Sequence, residues 1–311
     1  MKHLYLGGEK MRLITRSDFD GLSCGALLES LGLIDEWLFV HPKDIQDGLI
    51  EATKNDILAN VPYIPGCGLW FDHHSSEEER LGKDVQFEGV SKQAPSCARV
   101  IYEYYGGDEK LGRFAEMVKY TDKMDSADLT ADEILNPTGW VLLGFITDPR
   151  TGLGRIRNFT VSNLKLMQQL AKDTFSKPID EILALPDVKE RVDAYFEQHN
   201  LFIEMVKKHS KIEGNAIYVD LRNVEQIYAG NRFLLYTIFT EQNISVWVVD
   251  GKQQVNSVIT VGYSVINRTA TVDVGSLMLK YGGGGHKVVG TCQVIFDDTD
   301  RVVKEIINAV K

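Results

Sequence analysis

The sequence predicts an α/β protein with an N-terminal domain built on a parallel sheet and a smaller C-terminal α/β domain. Two observations carry this prediction. Over the first half of the chain, short apolar segments that end in polar turns alternate with amphipathic helical segments. Beyond a long helical segment between Pro186 and Gly214, strand-like segments resume. We therefore expect a first domain at 1–187, a linker helix at 188–211 and a second domain at 212–311.

The individual elements follow from the spacing of the apolar residues. In the first domain, strands are predicted at 12–16, 37–40, 56–61 and 69–71, and helices at 22–31, 96–105, 164–171 and 179–185. In the second domain, strands are predicted at 216–219, 244–249 and 255–261, and helices at 231–240 and 302–310. The strands and helices of the first domain alternate, as is typical of parallel βαβ units.

Composition excludes several classes of protein. The 311 residues include 34 Lys and Arg against 44 Asp and Glu, a net charge of −10, so the surface as a whole repels nucleic acid and a long duplex is not expected as a ligand. No apolar run is long enough to span a membrane, and the first ten residues do not resemble a signal peptide. The four cysteines lack CxxC spacing, which is typical of a reducing compartment. We therefore expect a cytoplasmic protein.

Chemically reactive side chains follow two of the predicted strands. Asp72, His73 and His74 come directly after an apolar strand segment, and Asp18 and Asp20 follow the first strand. Parallel strands end at one edge of their sheet, where ligands bind in open α/β folds. Asp and His are ligands that Mn, Fe, Co and Zn ions accept. The Asp18 and Asp20 pair alone fits a helix cap and a solvated turn, but beside the Asp-His-His cluster it predicts a catalytic metal site.

Three motifs resemble those of the DHH phosphoesterases. The Asp-His-His segment at 72–74 is similar to the motif that names the family, and Asp-Phe-Asp-Gly at 18–21 is similar to its DxDG motif. Gly-Gly-Gly-His at 283–286 is similar to the GGGH motif of the DHH-associated domain. The family includes RecJ-type exonucleases, nanoRNases, cyclic-dinucleotide phosphodiesterases, family II pyrophosphatases and exopolyphosphatases. The resemblance extends over nearly the whole chain.

The resemblance implies a metal-dependent hydrolase with its active site in the cleft between the two domains. The expected substrate is a phosphodiester or phosphoanhydride in a small nucleotide, a short oligonucleotide or polyphosphate. The expected cofactor is a divalent metal, Mn²⁺ first and Mg²⁺ or Co²⁺ as alternatives, and a homodimer is compatible with the family. The metal ligands implied are Asp18, Asp20, Asp72, His73 and Asp122, with Asp125 and Asp148 as alternatives to Asp122.

Phosphate-binding residues are implied at both ends of the chain. The glycine run provides backbone amides that form an anion-binding nest, although a lone glycine run more often marks a turn. The residues expected to bind substrate phosphates are Arg16, Ser264, Asn267, Arg268, Gly283, Gly284, Gly285 and His286. His74 is expected to contact phosphate or to donate a hydrogen bond behind the metal ligands.

Two positions depart from the family pattern. Arg16 stands where the family has a histidine ligand, and Asn60 stands where many relatives have a bridging aspartate, with Asp56 as the alternative alignment. Arg is always protonated and cannot bind a metal, but its guanidinium binds phosphate bidentately and can replace a second ion as a charge stabiliser. The sequence thus predicts either a one-metal hydrolase or, as an alternative, a catalytically weakened nucleotide-binding or regulatory protein.

Overall fold

The computed structural model of this chain describes residues 10–74, 77, 80–81, 85–174, 176–251 and 255–311. The first nine residues, considered above for a signal peptide, lie outside the described part. The chain divides into two compact units. The first comprises Met1–Asp128 and Thr138–Asp193, and the second comprises Leu129–Pro137 and Ala194–Lys311.

A five-stranded parallel sheet forms the centre of the first unit, as predicted. Its strands are β1 (Met11–Thr15), β2 (Ile34–Phe39), β3 (Asp56–Ala59), β4 (Leu69–Asp72) and β5 (Gly89–Ser91). They lie in the order β2-β1-β3-β4-β5, and every neighbouring pair is parallel. The carboxyl ends of β1, β3 and β4 are therefore adjacent along one edge, and the residues that follow these strands lie close together.

Helices pack against this sheet. They are α1 (Phe19–Ser30), α2 (Pro42–Gln46), α3 (Cys97–Tyr104), α4 (Asp108–Leu111), α5 (Ala115–Asp125), α7 (Gly139–Thr147), α8 (Asn163–Asp173) and α9 (Ile179–Ala184). Helix α1 is buried along almost its whole length. Its start requires a glycine, because a Cβ at Gly21 would lie 2.0 Å from the carbonyl oxygen of Arg16. This close approach fixes Asp18 and Asp20 at the end of β1.

The second unit contains a mixed sheet of six strands. These are β6 (Ser210–Glu213), β7 (Ala216–Asp220), β8 (Ile244–Asp250), β9 (Asn256–Tyr263), β10 (Gly284–His286) and β11 (Val289–Ile295), in the order β10-β11-β9-β8-β7-β6. Only β7 and β8 are parallel among these pairs of described strands. Its helices are α6 (Ala131–Leu135), α11 (Leu234–Ile238), α12 (Val274–Leu279) and α13 (Thr299–Val310). The predicted α/β class is confirmed for both units.

The remaining helix, α10 (Pro186–Lys208), contains the boundary between the units at Asp193 and Ala194. It is the long segment that the sequence predicted as a linker helix. No helix within the described part of the chain is both long and apolar enough to cross a bilayer.

Asp56, the alternative alignment for the family's bridging aspartate, lies at the amino end of β3 and not at its carboxyl end. Its buried carboxylate accepts a 2.7 Å hydrogen bond from Arg12 Nε, and it also accepts hydrogen bonds from the backbone N–H and the hydroxyl of Thr53. Burial favours the neutral acid, but these donors outweigh it and lower the pKa of Asp56. Asp56 thus stabilises the far edge of the sheet, whereas Asn60 follows β3 at the carboxyl edge.

This ion pair predicts a pH-dependent stability. At neutral pH, Asp56→Asn is expected to lower the free energy of unfolding by about 1–3 kcal/mol, because Arg12 loses its charged partner. Since the pKa of Asp56 is lower in the folded chain, the carboxylate stabilises the fold above the unfolded-state pKa of about 3.9, and this contribution is lost as the pH falls through the folded-state pKa. Denaturant unfolding of the wild type and the variant across this pH range measures the difference.

The matched control is Asp35→Asn, which removes an exposed carboxylate from β2. It is expected to leave stability nearly unchanged at every pH. A constant gap between Asp56→Asn and the wild type from neutral to acid pH would contradict the role given to this ion pair.

Candidate metal centre

Asp20 is a buried carboxylate at the start of α1. Its oxygens accept hydrogen bonds from the first amides of α3, Cys97 N at 2.9 Å and Ala98 N at 2.8 Å. The partial positive charge of a helix N-terminus favours a carboxylate at this place. Burial nevertheless dominates and, together with the negative charge of Asp125, raises the pKa of Asp20 to about 7. The charged form of Asp20 is therefore destabilised at this place, and a bound cation would stabilise it.

His73 follows β4 and faces Asp20. Its Nδ1 lies 3.1 Å from the carbonyl oxygen of Ala94, and because a carbonyl only accepts, Nδ1 carries the proton and Nε2 carries the lone pair. Nε2 lies 3.7 Å from an oxygen of Asp20 and 3.3 Å from an oxygen of Asp125. It is buried and has no hydrogen-bond partner among the described residues. A nitrogen lone pair facing two carboxylates is an arrangement suited to a metal ion.

The ligand atoms of Asp20, His73 and Asp125 all lie within 4.8 Å of one another. We call these three residues the metal cluster. Two carboxylate oxygens and one imidazole nitrogen are donors that Mn²⁺ and other divalent first-row ions accept. The residues present therefore fit the divalent metal that the sequence predicted.

Helix α5 contributes Asp125 to the metal cluster, whereas the sequence favoured Asp122 and left Asp125 as an alternative. The carboxylate of Asp122 instead accepts hydrogen bonds from Arg99 Nε at 2.9 Å, Arg99 Nη2 at 2.6 Å and Ser96 Oγ at 2.7 Å. Ser96 also caps α3. Asp122 thus holds the start of α3 in place, and it is this start that binds Asp20.

Asp18 lies beside the metal cluster but has other partners. It caps α1 through Gly21 N at 2.9 Å, and the same Oδ1 accepts a 3.1 Å hydrogen bond from Asn60 Nδ2. Its Oδ2 lies 3.1 Å from Arg16 Nε. Asn60 is buried and has a left-handed backbone with φ 58°, a conformation that Asn adopts more readily than most residues. Arg16, Asp18 and Asn60 form a triad, in which an ion pair joins Arg16 to Asp18 and a hydrogen bond joins Asn60 to Asp18.

Asp72 was predicted as a metal ligand, but the structure pairs it with His74. Its fully buried carboxylate lies 2.8 Å from His74 Nδ1 and 3.3 Å from His74 N. Burial alone would lower the pKa of His74, but the hydrogen bond and charge of Asp72 outweigh it and raise that pKa. The rings of His73 and His74 lie 4.1 Å apart. Asp72 therefore orients His74, and the role expected for this histidine stays a prediction.

A small pocket within the first unit is lined in part by Asp20 and Asp125 of the metal cluster. It is lined by Asp18, Phe19, Asp20, Thr121, Met124, Asp125, Gly144, Asp148 and Arg150. Asp148, the other alternative ligand, accepts 2.8 Å hydrogen bonds from the N and the Nε of Arg150. Although desolvation opposes its charge, the carboxylates of Asp148, Asp18 and Asp125 raise the pKa of Arg150, whose side chain is 55% exposed. Arg150 was not among the predicted site residues, because its loop on its own is typical of a solvated surface and its position in the chain does not place it beside residues 18–20.

In the second unit, the glycine run is explained largely by close packing. The amides of Gly282 and Gly283 donate to the carbonyls of Leu279 and Met278 at the end of α12. A Cβ at Gly283 would lie 2.2 Å from the carbonyl oxygen of Thr291 in β11. The nest expected at Gly283 needs correction, because this N–H already has an acceptor. Roles for Gly284, Gly285 and His286, which form β10, remain predictions.

The loop after β9 contains the other predicted phosphate ligands. Ser264 Oγ is buried and accepts from the amides of Ile266 and Asn267, and Asn267 Nδ2 donates to the carbonyl of Glu241 at 2.7 Å. These contacts shape the loop. Arg268 donates through Nε to the carbonyl of Val265 at 3.1 Å. Substrate binding by Ser264, Asn267 and Arg268 stays a prediction.

Comparison with solved structures identifies relatives of this chain. A pGpG-specific phosphodiesterase, PggH from Vibrio cholerae, is 46% identical, with a TM-score of 0.80 over 97% of this chain and 99% of that chain. RecJ from Thermus thermophilus shares the fold. Its Mn²⁺ complex is 15% identical, with a TM-score of 0.54 over 96% of this chain and 51% of RecJ, and its Mg²⁺ complex is 16% identical, with a TM-score of 0.51 over 96% and 49%. No family model and no curated protein matches the sequence.

The fold, together with the 46% identity to a phosphodiesterase, defines the class of this protein as a phosphoester hydrolase, and its metal cluster is suited to a divalent ion. The chain belongs to the DHH phosphoesterase family, because a relative with 46% identity over nearly both complete chains is a member. The resemblance predicted from the three sequence motifs is confirmed.

Asp125 and Asp122 lie three residues apart on α5 and are expected to respond differently to the same substitution. Asp125→Asn should weaken Mn²⁺ binding at least about 10-fold, because even partners behind a metal ligand are worth about 10–100-fold. Asp122→Asn should lower the free energy of unfolding by about 1–3 kcal/mol through Arg99 and reduce Mn²⁺ affinity less. Calorimetric Mn²⁺ titration and denaturant unfolding separate the two effects. Loss of Mn²⁺ binding only in Asp122→Asn would contradict the assignment of Asp125.

Proposed function

We propose that this protein is a phosphodiesterase that hydrolyses a short linear dinucleotide of the pGpG type. The observation that carries the proposal is the metal cluster, in which the buried Nε2 of His73 faces two carboxylates. The substrate class is supported by the 46% identity to a pGpG-specific phosphodiesterase over nearly the whole of both chains.

Hydrolysis of such a dinucleotide needs water as its only co-reactant. The oxygen of one water molecule bonds to the bridging phosphorus, the P–O bond to the leaving 3′ oxygen breaks, and a proton ends on that oxygen. From pGpG the products are two molecules of GMP. Asp20, His73 and Asp125 would hold a divalent ion. When bound, such an ion would polarise a phosphoryl oxygen and make a water molecule more acidic.

Side chains around the metal cluster provide the charge that a phosphate needs. Arg16 and Arg150 are permanent cations, and both interact with Asp18 electrostatically. Guanidinium groups bind phosphate oxygens bidentately, so these residues are suited to orient the substrate and to stabilise its developing negative charge. His74, whose pKa is raised by Asp72, is suited to donate a hydrogen bond to a phosphate oxygen.

The finer details of the proposal come from the sequence. Mn²⁺ is the proposed ion, with Mg²⁺ and Co²⁺ as alternatives, because the ligand set contains both oxygen and nitrogen. Arg268 and His286 are the proposed phosphate contacts from the second unit. The cytoplasmic location and a homodimer stay predictions.

Turnover of defined substrates tests the proposed function. The protein with Mn²⁺ is expected to convert pGpG to GMP. His73→Asn is expected to lower kcat by about 100-fold or more, because it removes a ligand of an ion whose charge stabilisation is worth several kcal/mol. The control is His41→Asn, which makes the same change at an exposed histidine whose capping role Asn retains. The rates are measured by chromatography of the nucleotides. Absence of turnover of pGpG by the wild type, with every candidate metal, would refute the proposal.

Arg150 provides a separate test of the pocket. Arg150→Ala is expected to raise KM for pGpG by about 10-fold or more, because one charge-assisted hydrogen bond to phosphate contributes about 1.5–3 kcal/mol. Arg150→Lys should lie between the wild type and Arg150→Ala, since Lys keeps the charge but loses the bidentate geometry. The control is Arg157→Ala, which removes an exposed arginine from the same loop. Equal KM values for Arg150→Ala and Arg157→Ala would exclude Arg150 from substrate binding.

A further inference from the structure

We infer that the centre binds one divalent ion and that the guanidinium of Arg16 supplies the second positive charge beside it. This inference rests on the proposed hydrolysis of a phosphodiester and specifies how its charge is neutralised. Two neighbouring groups of residues carry it, the metal cluster of Asp20, His73 and Asp125 and the triad of Arg16, Asp18 and Asn60.

The metal cluster has a coordination position that is available. His73 Nε2 is buried, the His73 side chain is only 8% exposed, and no hydrogen bond among the described residues uses this nitrogen. Its proton lies on the other ring nitrogen, which is held by the carbonyl of Ala94. The lone pair therefore points toward the carboxylates of Asp20 and Asp125, and the orphaned nitrogen gains a partner when one ion binds.

At the triad, both oxygens of Asp18 already have partners, and the buried polar atom that lacks a hydrogen-bond partner among the described residues is the neutral amide oxygen of Asn60. Oδ1 accepts from Gly21 N at 2.9 Å and from Asn60 Nδ2 at 3.1 Å, and Oδ2 lies 3.1 Å from Arg16 Nε. An ion at Asp18 would have to displace these donors and lie beside a guanidinium that never loses its charge. Like charges at this distance repel, so the triad disfavours a second metal ion.

Asn60 keeps the net charge of the triad near zero, because its side chain is neutral. Its amide can donate to Asp18, whereas a carboxylate at the same buried position would add a second negative charge next to Asp18. One arginine is then sufficient to balance the single carboxylate of the triad. Arg16 and Asn60 thus act together, and neither is a neutral replacement for a metal ligand.

Arg16 is also placed to act on the substrate. It is partly exposed, and it pairs with Asp18, which lines the same pocket as Asp20 and Asp125 of the metal cluster. A permanent cation at such a position stabilises negative charge on the phosphoryl oxygens without metal binding or release. In two-metal hydrolases the second ion does part of this work. Arg16 would supply this charge as part of the folded chain.

Metal counting on the full-length protein tests the inference directly. Calorimetric titration with Mn²⁺, supported by electron paramagnetic resonance of the free ion, is expected to give one ion per wild-type chain. Two ions of comparable affinity per chain would overturn the inference. No ion at all would refute the metal centre itself. If one ion binds but pGpG is not hydrolysed, the proposed function fails while the ion count still stands.

Substitution of Arg16 tests its role with two readouts that move in opposite directions. Arg16→Met removes the charge but keeps a long side chain, so Mn²⁺ should bind as tightly as before or more tightly, while kcat for pGpG falls about 100-fold or more. Arg16→Lys should recover part of kcat, and Arg157→Met, at an exposed arginine, should change neither value. Weaker Mn²⁺ binding in Arg16→Met, or an unchanged kcat, would overturn the inference. Circular dichroism verifies that each variant is folded.

Discussion

The buried carboxylate of Asp20 is the constraint on which the rest of the site depends. Two amides at the start of α3 bind it, so the first turns of α1 and α3 are fixed relative to each other. Their hydrogen bonds do not fully offset the cost of burial, because the pKa of Asp20 is raised to about 7. A cation bound by Asp20, His73 and Asp125 would offset the remainder. The same bound ion would therefore stabilise this part of the fold and complete the metal centre, because both depend on the charge of the buried Asp20 carboxylate.

Three chain segments each divide their polar residues between the metal cluster and a supporting contact. After β1, Asp20 enters the metal cluster while Asp18 pairs with Arg16. After β4, His73 enters it while the neighbouring His74 is held by Asp72, and on α5 Asp125 enters it while Asp122 pairs with Arg99. Short contacts between described residues support each of these assignments. Each metal ligand thus lies within three residues of a side chain that is fixed by its own contacts. This restricts the conformations of the ligand before an ion binds.

The location of this site was predictable from sequence, but the division of roles was not. Parallel strands end at one edge, so the residues after β1 and β4 had to meet whatever their side-chain directions. Whether Asp122 or Asp125 reaches the metal cluster depends on the rotation of α5, and residues three apart on a helix share one face. Arg99 and Ser96 decide it by binding Asp122. The glycine motif was likewise misread at Gly283, where packing against β11 accounts for the missing side chain.

The charge distribution bears on the length of substrate in the proposed function. The whole chain carries a net charge of −10, so a long polyanion meets repulsion along most of its length. The first unit nevertheless presents two permanent cations, Arg16 and Arg150, next to the metal cluster. A dinucleotide carries few phosphates and can use these local charges without extending over the acidic surface. Local attraction, with repulsion that grows with length, supports the short substrate of the proposed function.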